Sequence, residues 1–194
     1  EVGEREEARP FHVPSAVASF GKAMLGLAQR TTYGTLFDMK VEGQGNIPAN
    51  ANFIVAANHT SHLDMGLVKC ALDGLGGDLV TLAAKDYFFD DPVRRIYFEN
   101  FTNLLPMDRH GSLKKSLRLA SDSIAQGSSL LIFPEGTRSR DGEMTSFKPA
   151  IGYLALNGRV DVVPMYLEGT HAALPVGAML PKQRELKVRI GAPI

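Results

Sequence analysis

The stretch Val55-Ala56-Ala57-Asn58-His59-Thr60-Ser61-His62-Leu63-Asp64 places one Asn, two His, two hydroxyls and one Asp directly after an apolar run. The run itself, ending at Ala57, is short and continuous, as expected of a strand buried on both faces. From Ser61 to Gly77 the apolar residues recur at helical spacing and the segment closes in glycines. A buried strand, a polar turn and a helix therefore follow one another, with the strand expected to end at Ala57 and the helix to begin near His62.

The same alternation recurs along the chain. Asp38 to Glu42 alternates as a strand and stops at Gly43, Gly45 and Pro48. Asp78 to Lys85 reads as a strand, Asp91 to Thr102 as a helix or interfacial loop, and Asn103 to Arg109 as a short strand. Gly111 to Gln126 reads as an amphipathic helix with Gly127 past its end; Ser128 to Arg140 is strand then loop. Phe147 to Asn157 reads as a helix capped at its C-terminus by Gly158, and two strands follow, at Asp161–Gly169 and Glu185–Ile194. Strands alternating with helices predict a layered α/β domain with a largely parallel central sheet flanked by helices.

Ahead of this domain, Pro10 to Phe37 carries Val17, Phe20, Met24, Leu27 and Ala28 at helical spacing, with Lys22, Gln29 and Arg30 largely on other faces. Two readings stand: an amphipathic helix that packs on the core, or one that lies in a membrane interface with its basic residues near headgroups. Residues 1–10 are charged, with no signal-peptide layout, and read as a solvated tail or a boundary cut in a longer chain. The expected division is thus 1–10, an N-terminal amphipathic segment 11–37, and the main domain 38–194.

Bulk properties narrow the function classes. The 194 residues fit one domain, and Lys+Arg balance Asp+Glu at 21 each, so no net field argues for nucleic acid. Cys70 is the only cysteine, excluding an intramolecular disulfide and fitting a reducing compartment. No run of about 18 uninterrupted apolar residues offers a membrane-spanning helix.

Three readings compete for the polar cluster. Ser61 with Asp64 three residues on matches the capping box, which leaves Asn58, His59 and His62 unexplained. A metal site from His59, His62 and Asp64 needs convergent geometry, and no distant residues obviously complete it. In the third, His59 is a general base oriented by Asp64, the carboxylate fixing the tautomer and stabilising the imidazolium. Residues five apart on a helix point roughly 140° away from each other. His59 must then lie in the strand-to-helix turn, with Asp64 in the first helical turn reaching back. Ser61 can still cap, so the first and third readings are compatible.

A second dense spot follows Leu130–Phe133. After Pro134, Glu135, Gly136 and Thr137 turn the chain and Arg138 and Arg140 follow. Glycine permits close backbone approach, Thr offers a hydroxyl, and Arg suits bidentate phosphate binding. A surface turn with solvated charges is the bland alternative. The C-terminal end of a strand in an α/β sheet is where ligands bind.

With both spots in view, the sequence resembles the glycerophospholipid acyltransferase family, of the 1-acylglycerol-3-phosphate acyltransferase type. The family's N-H-x4-D motif stands at Asn58 to Asp64, and its F-P-E-G-T-R-S motif is intact from Phe133 to Ser139. Two weaker motifs match the strand ending in Arg109 and the apolar strand around Pro164. Pro106-Met107 interrupts the usual apolar strand before Arg109, and Ala150 stands where the family often has glycine.

The resemblance implies His59 as base with Asp64 its partner. It implies that Arg109, Glu135, Gly136, Thr137 and Arg138 shape the site for the acceptor's phosphate, with Asn58, Ser61 and Pro164 supporting. Glu135 is expected to hold neighbouring donors rather than touch phosphate. The implied reaction moves a fatty acyl group from an acyl thioester, on coenzyme A or acyl carrier protein, to the free hydroxyl of a lysophospholipid. No metal or redox cofactor is implied, and the implied setting is peripheral, on the cytoplasmic side of a membrane. Rival readings are the same chemistry on glycerol-3-phosphate or a lysolipid without phosphate, a metallohydrolase using His59, His62 and Asp64, and a membrane-docking module without turnover.

Overall fold

The computed structural model describes residues 13–84, 102–107 and 113–194. Within them, strands β1 (Asp38–Glu42), β2 (Ile54–Ala57), β3 (Val80–Ala84), β4 (Leu104–Met107), β5 (Leu130–Ile132), β6 (Val162–Glu168) and β7 (Glu185–Ile190) form one sheet. Their spatial order is β1-β7-β6-β2-β5-β3-β4. Every neighbouring pair is parallel except β6 with β7. The helices are α1 (Ser15–Leu36), α2 (Asp64–Ala71), α3 (Leu113–Ala125), α4 (Ala150–Gly158) and the single turn α5 (Thr170–Ala173). The layered α/β architecture with a largely parallel sheet and an N-terminal helix is the one expected.

The continuous apolar character of β2 follows from its place. Ile54 lies between Leu130 of β5 and Val162 of β6, and Ile54, Val55 and Ala57 are all buried. Alternate residues feed two core layers. Val55 and Ala57 join Leu67, Val163, Val188 and Tyr33 on the side of α1 and α2. Ile54 joins Ala120, Ile124 and Leu154 on the side of α3 and α4. The polar residues after Ala57 therefore emerge at the C-terminal edge of the central strand, between β5 and β6.

The structure corrects two local expectations. α2 begins at Asp64 rather than near His62, because Ser61 to Leu63 form a separate turn ahead of it. At the end of α4 the left-handed residue is Arg159 (φ 49°), and Gly158 is the last helical residue. Gly158 is small for a packing reason: a Cβ there would stand 2.8 Å from Ile124 Cγ2 on α3. The reading of 103–109 as a strand is met in its described part: Pro106 lies within β4, level with Ala83. β4 is an edge strand, where a residue without an N–H is tolerated. Arg109 and the expected element at 91–102 fall largely outside the described residues.

α1 packs the other way round from a core helix. Tyr33 and the following Phe37 are buried, and Tyr33 Oη donates to Leu63 O (2.7 Å) just ahead of Asp64. Val17, Phe20, Met24 and Leu27 instead face outward, Phe20 being 70% exposed and Leu27 59%. Among the described residues no helix is long and apolar enough to cross a membrane.

Close approach of α1 to α2 depends on Gly66, where a Cβ would overlap the Tyr33 hydroxyl and meet Gln29 Nε2 at 2.6 Å. Alanine's better helix propensity would stabilise α2 by up to about 1 kcal/mol, whereas overpacking costs about 1–3 kcal/mol. Gly66→Ala is therefore expected to lower stability in urea denaturation; an unchanged or higher midpoint would show that α1 does not seat on α2 this way.

Candidate active site

β2 delivers Asn58 and His59 to the turn, and α2 delivers Asp64. His59 Nδ1 and Asp64 Oδ2 are 2.8 Å apart, with Asp64 fully buried and the His59 side chain 20% exposed. The same carboxylate oxygen accepts the backbone N–H groups of Thr60 (2.6 Å) and Ser61 (2.8 Å). A carboxylate gathering three N–H donors in the first turn of a helix is fixed in place by those hydrogen bonds. Because Nδ1 faces this acceptor it carries the hydrogen, so the neutral imidazole keeps its lone pair on Nε2, which meets no partner among the described residues. The ring stacks on Phe133 (centroids 3.9 Å apart, 13° between planes), which fixes its plane as well as its tautomer.

The capping box is half made. Asp64 supplies the reciprocal bond to Ser61 N–H, but Ser61 Oγ accepts from Leu63 N–H (3.2 Å) and donates to Leu174 O (2.7 Å). Ser61 thus ties the turn to the segment after α5, and Thr60 Oγ1 does the same with Thr170 Oγ1 (3.0 Å). Asn58 extends the sheet by side chain: Nδ2 donates to Leu167 O (3.0 Å) and Oδ1 accepts Leu167 N–H (2.7 Å).

The loop after β5 is locked onto this turn through the main chain. Glu135 Oε1 accepts His59 N–H (2.7 Å), while its Oε2 accepts both the N–H and the hydroxyl of Thr145 (2.8 Å each). Ser139 N–H returns a bond to His59 O (2.8 Å). Glu135 is buried and both its oxygens are engaged by protein donors. Gly136 takes φ 73°, in the left-handed region, and its N–H closes the turn onto Phe133 O (3.0 Å). A Cβ there would also press on Lys148, its nearest atom being Nζ at 2.6 Å. Thr137 is exposed, and Arg138 is partly buried with its Nη1 inaccessible and without a hydrogen-bond partner.

His62 is exposed and holds its pKa below the usual imidazole value, first through desolvation and then through the charge of Arg138 nearby. Among the described residues no group of three or more His, Cys, Asp or Glu side chains converges as a metal cage. Pro164 sits in mid-β6, level with Ala56, and its carbonyl accepts Gly191 N–H (2.8 Å); it takes no part in the hydrogen bonds around His59. Arg109 lies outside the described residues. Thr145, Thr170 and the stacking of Phe133 on His59 carry no sequence signal, because each depends on a contact between segments distant in the chain.

A model of the acyltransferase family matches residues 38–168. The chain belongs to the acyltransferase family. This acyltransferase chain is similar to the 1-acyl-sn-glycerol-3-phosphate acyltransferase of Limnanthes alba, at 30% identity over 165 residues, covering 82% of this chain and 56% of that protein. It is likewise similar to the enzyme of the same name from Cocos nucifera, at 28% identity over 152 residues, covering 78% of this chain and 48% of that one. Among solved structures it resembles the 1-acyl-sn-glycerophosphate (LPA) acyltransferase PlsC from Thermotoga maritima. That likeness has a TM-score of 0.72 and 26% identity, and covers 92% of this chain and 71% of that one. The chain spans about half the length of the curated relatives it matches. The acyltransferase type read from the two motifs agrees with these relatives.

Because Glu135 accepts three donors without reserve, Glu135→Gln sets an amide NH2 against either His59 N–H or Thr145. A buried mismatch of this kind costs about 1–3 kcal/mol. The variant is expected to unfold at lower urea and to be cut faster by protease in the loop around Thr145; wild-type values in both assays would remove the lock from Glu135.

Proposed function

We propose that this chain transfers an acyl group from a thioester, carried on coenzyme A or acyl carrier protein, to the free hydroxyl of a lysophosphatidate-type acceptor. The observation that carries the reading is the oriented imidazole: His59 is held through Nδ1 by buried Asp64 and stacked on Phe133, with Nε2 left to accept a proton. In this mechanism Nε2 removes the acceptor's hydroxyl proton as the acceptor's oxygen attacks the thioester carbonyl. The tetrahedral intermediate collapses with cleavage of the C–S bond, and the imidazolium returns the proton to the leaving thiolate. Asp64 stabilises the imidazolium in between. The relatives' names support the substrate class, and the bond between His59 Nδ1 and Asp64 supports His59 as the base.

Arg138 favours a phosphate-bearing acceptor over a neutral lysolipid. A buried guanidinium nitrogen without a partner is unfavourable until an anion reaches it. Glu135, occupied on both oxygens, belongs to the frame of the site. Arg109 retains the phosphate-binding role implied by its motif, and Gly136 and Thr137 supply close backbone approach and a hydroxyl.

Peripheral attachment to the cytoplasmic side of a membrane fits the outward apolar stripe of α1, a helix containing Lys22 and Arg30 and no acid. A second apolar surface supports the same setting: Met179 and Leu180 are 93% and 81% exposed, and Lys182 and Arg184 follow them. The base of that loop is Leu174, bonded to Ser61 in the His59 turn.

General-base catalysis contributes about 10²–10⁴-fold, so His59→Ala is expected to lose that much kcat in transfer from a labelled thioester, and Asp64→Asn at least about 10²-fold. A folded His59→Ala variant with wild-type turnover would falsify the assignment of the base. Arg138→Ala should raise acceptor KM about tenfold or more, the worth of one charge-assisted contact, and leave KM for a phosphate-free lysolipid unchanged. For the membrane reading, Phe20→Asp with Leu27→Asp is expected to abolish co-sedimentation with anionic liposomes; full retention would assign docking elsewhere.

A further inference from the structure

A cavity of about 370 Å³ lies along α2 between α1, the 3-10 turn Asp73–Gly77 and the residues entering β4. Gly76 and Gly77 precede β3, and Thr102 and Asn103 precede β4, so the cavity opens at the N-terminal ends of parallel strands whose C-terminal ends face the site above. Neither His59, Asp64 nor any residue of the loop from Phe133 to Ser139 lines it.

Its charge is one-sided. Lys22, Arg30 and Lys69 line it, and no Asp or Glu does among the described residues. Arg30 is already neutralised by Asp73, Nη1 to Oδ1 being 2.9 Å. Among the described residues Lys22 meets only the neutral amide oxygen of Asn103 (2.8 Å). Lys69, half-buried on α2, makes no ion pair or hydrogen bond among the described residues, and desolvation, with Lys22 beside it, pushes its pKa below the usual lysine value. Two ammonium groups thus converge on a cavity whose remaining wall includes Leu25, Met65 and Cys70. A partly desolvated cation is costly unless a counter-charge meets it, and none of the described residues supplies one to Lys69.

We propose that this cavity is an anion site, in which Lys22 and Lys69 hold a phosphate or carboxylate group and the apolar wall receives a short apolar stub attached to it. Two sources share this chemistry, a free oxyanion and the headgroup of an anionic amphiphile. The proposal is independent of the catalytic reading, because the two sites share no residue.

The test is calorimetric titration of the purified chain with inorganic phosphate, with a medium-chain fatty acid below its micellar concentration, and with the alcohol of the same chain length. Arg138→Ala is the background, so that binding at the other site does not contribute. At least one anion is expected to bind and the alcohol not to. Phosphate alone binding identifies a free anion as the ligand, and the fatty acid alone binding identifies the amphiphile. Lys69→Met should weaken the anion about tenfold or more, as expected for loss of one charge-assisted contact, while Lys69→Arg retains it. Lys22→Gln should weaken the anion in the same way. No binding of either anion, equal binding of the alcohol, or undiminished affinity in Lys69→Met or Lys22→Gln would overturn the site.

The unliganded protein offers a second readout. A lysine whose folded pKa lies below the ordinary value of 10.5 is destabilising wherever it is protonated. That penalty is complete below the lowered folded pKa and disappears as pH rises past the unfolded value. Lys69→Met without ligand should therefore melt at or above the wild-type temperature near neutral pH, with the gain vanishing at strongly alkaline pH. Clear destabilisation at neutral pH would mean that Lys69 already has its counter-charge, and the proposal would fall.

Discussion

One carboxylate oxygen organises the candidate site. Asp64 Oδ2 accepts Thr60 N–H, Ser61 N–H and the Nδ1 side of His59, and these bonds join a strand end to a helix start. A buried carboxylate is unfavourable unless several donors meet it, so the turn has few alternative conformations. The imidazole is positioned by the same bonds that fold the turn. Local structure and chemistry here rest on one group.

The wider fold protects that arrangement. Glu135 grips His59 N–H and Ser139 N–H grips His59 O, so both sides of the residue's main chain are fastened to the loop after β5. Asn58 fastens the other side to β6 through Leu167, and Tyr33 brings α1 onto Leu63. Three separate chain segments thereby hold a ten-residue stretch, and each does so through backbone groups that would otherwise be buried without partners. This explains why polar residues crowd the end of an apolar strand: most are structural donors and acceptors, and one ring nitrogen, Nε2 of His59, meets no partner among the described residues.

Much of this was legible in the residues. The buried run ending at Ala57, the period of α3 and Gly127 after it follow from local rules, because burial on two faces and left-handed caps constrain residue type directly. The pairing of His59 with Asp64 was legible for the same reason: a separation of five works only across a strand-to-helix turn. Gly158 misled as a cap, since a glycine chosen for close packing on Ile124 is indistinguishable in sequence from one chosen for its dihedral. Ser61 misled in part, since its hydroxyl serves Leu174 as well as the helix start.

The sequence by itself determined which segments are strands and helices, the polar turn at their junction and the chemical types available there, because periodicity and short-range sterics act within a few residues. Only the tertiary structure decided that Thr145 would hold Glu135, that Phe133 would stack on His59, and that Lys22 and Lys69 would line one cavity. It also decided that the apolar stripe of α1 faces out while Tyr33 faces in. A helix's periodicity states that it has two faces; which one the protein covers depends on the shape of the partner, here a glycine on α2 that admits a tyrosine.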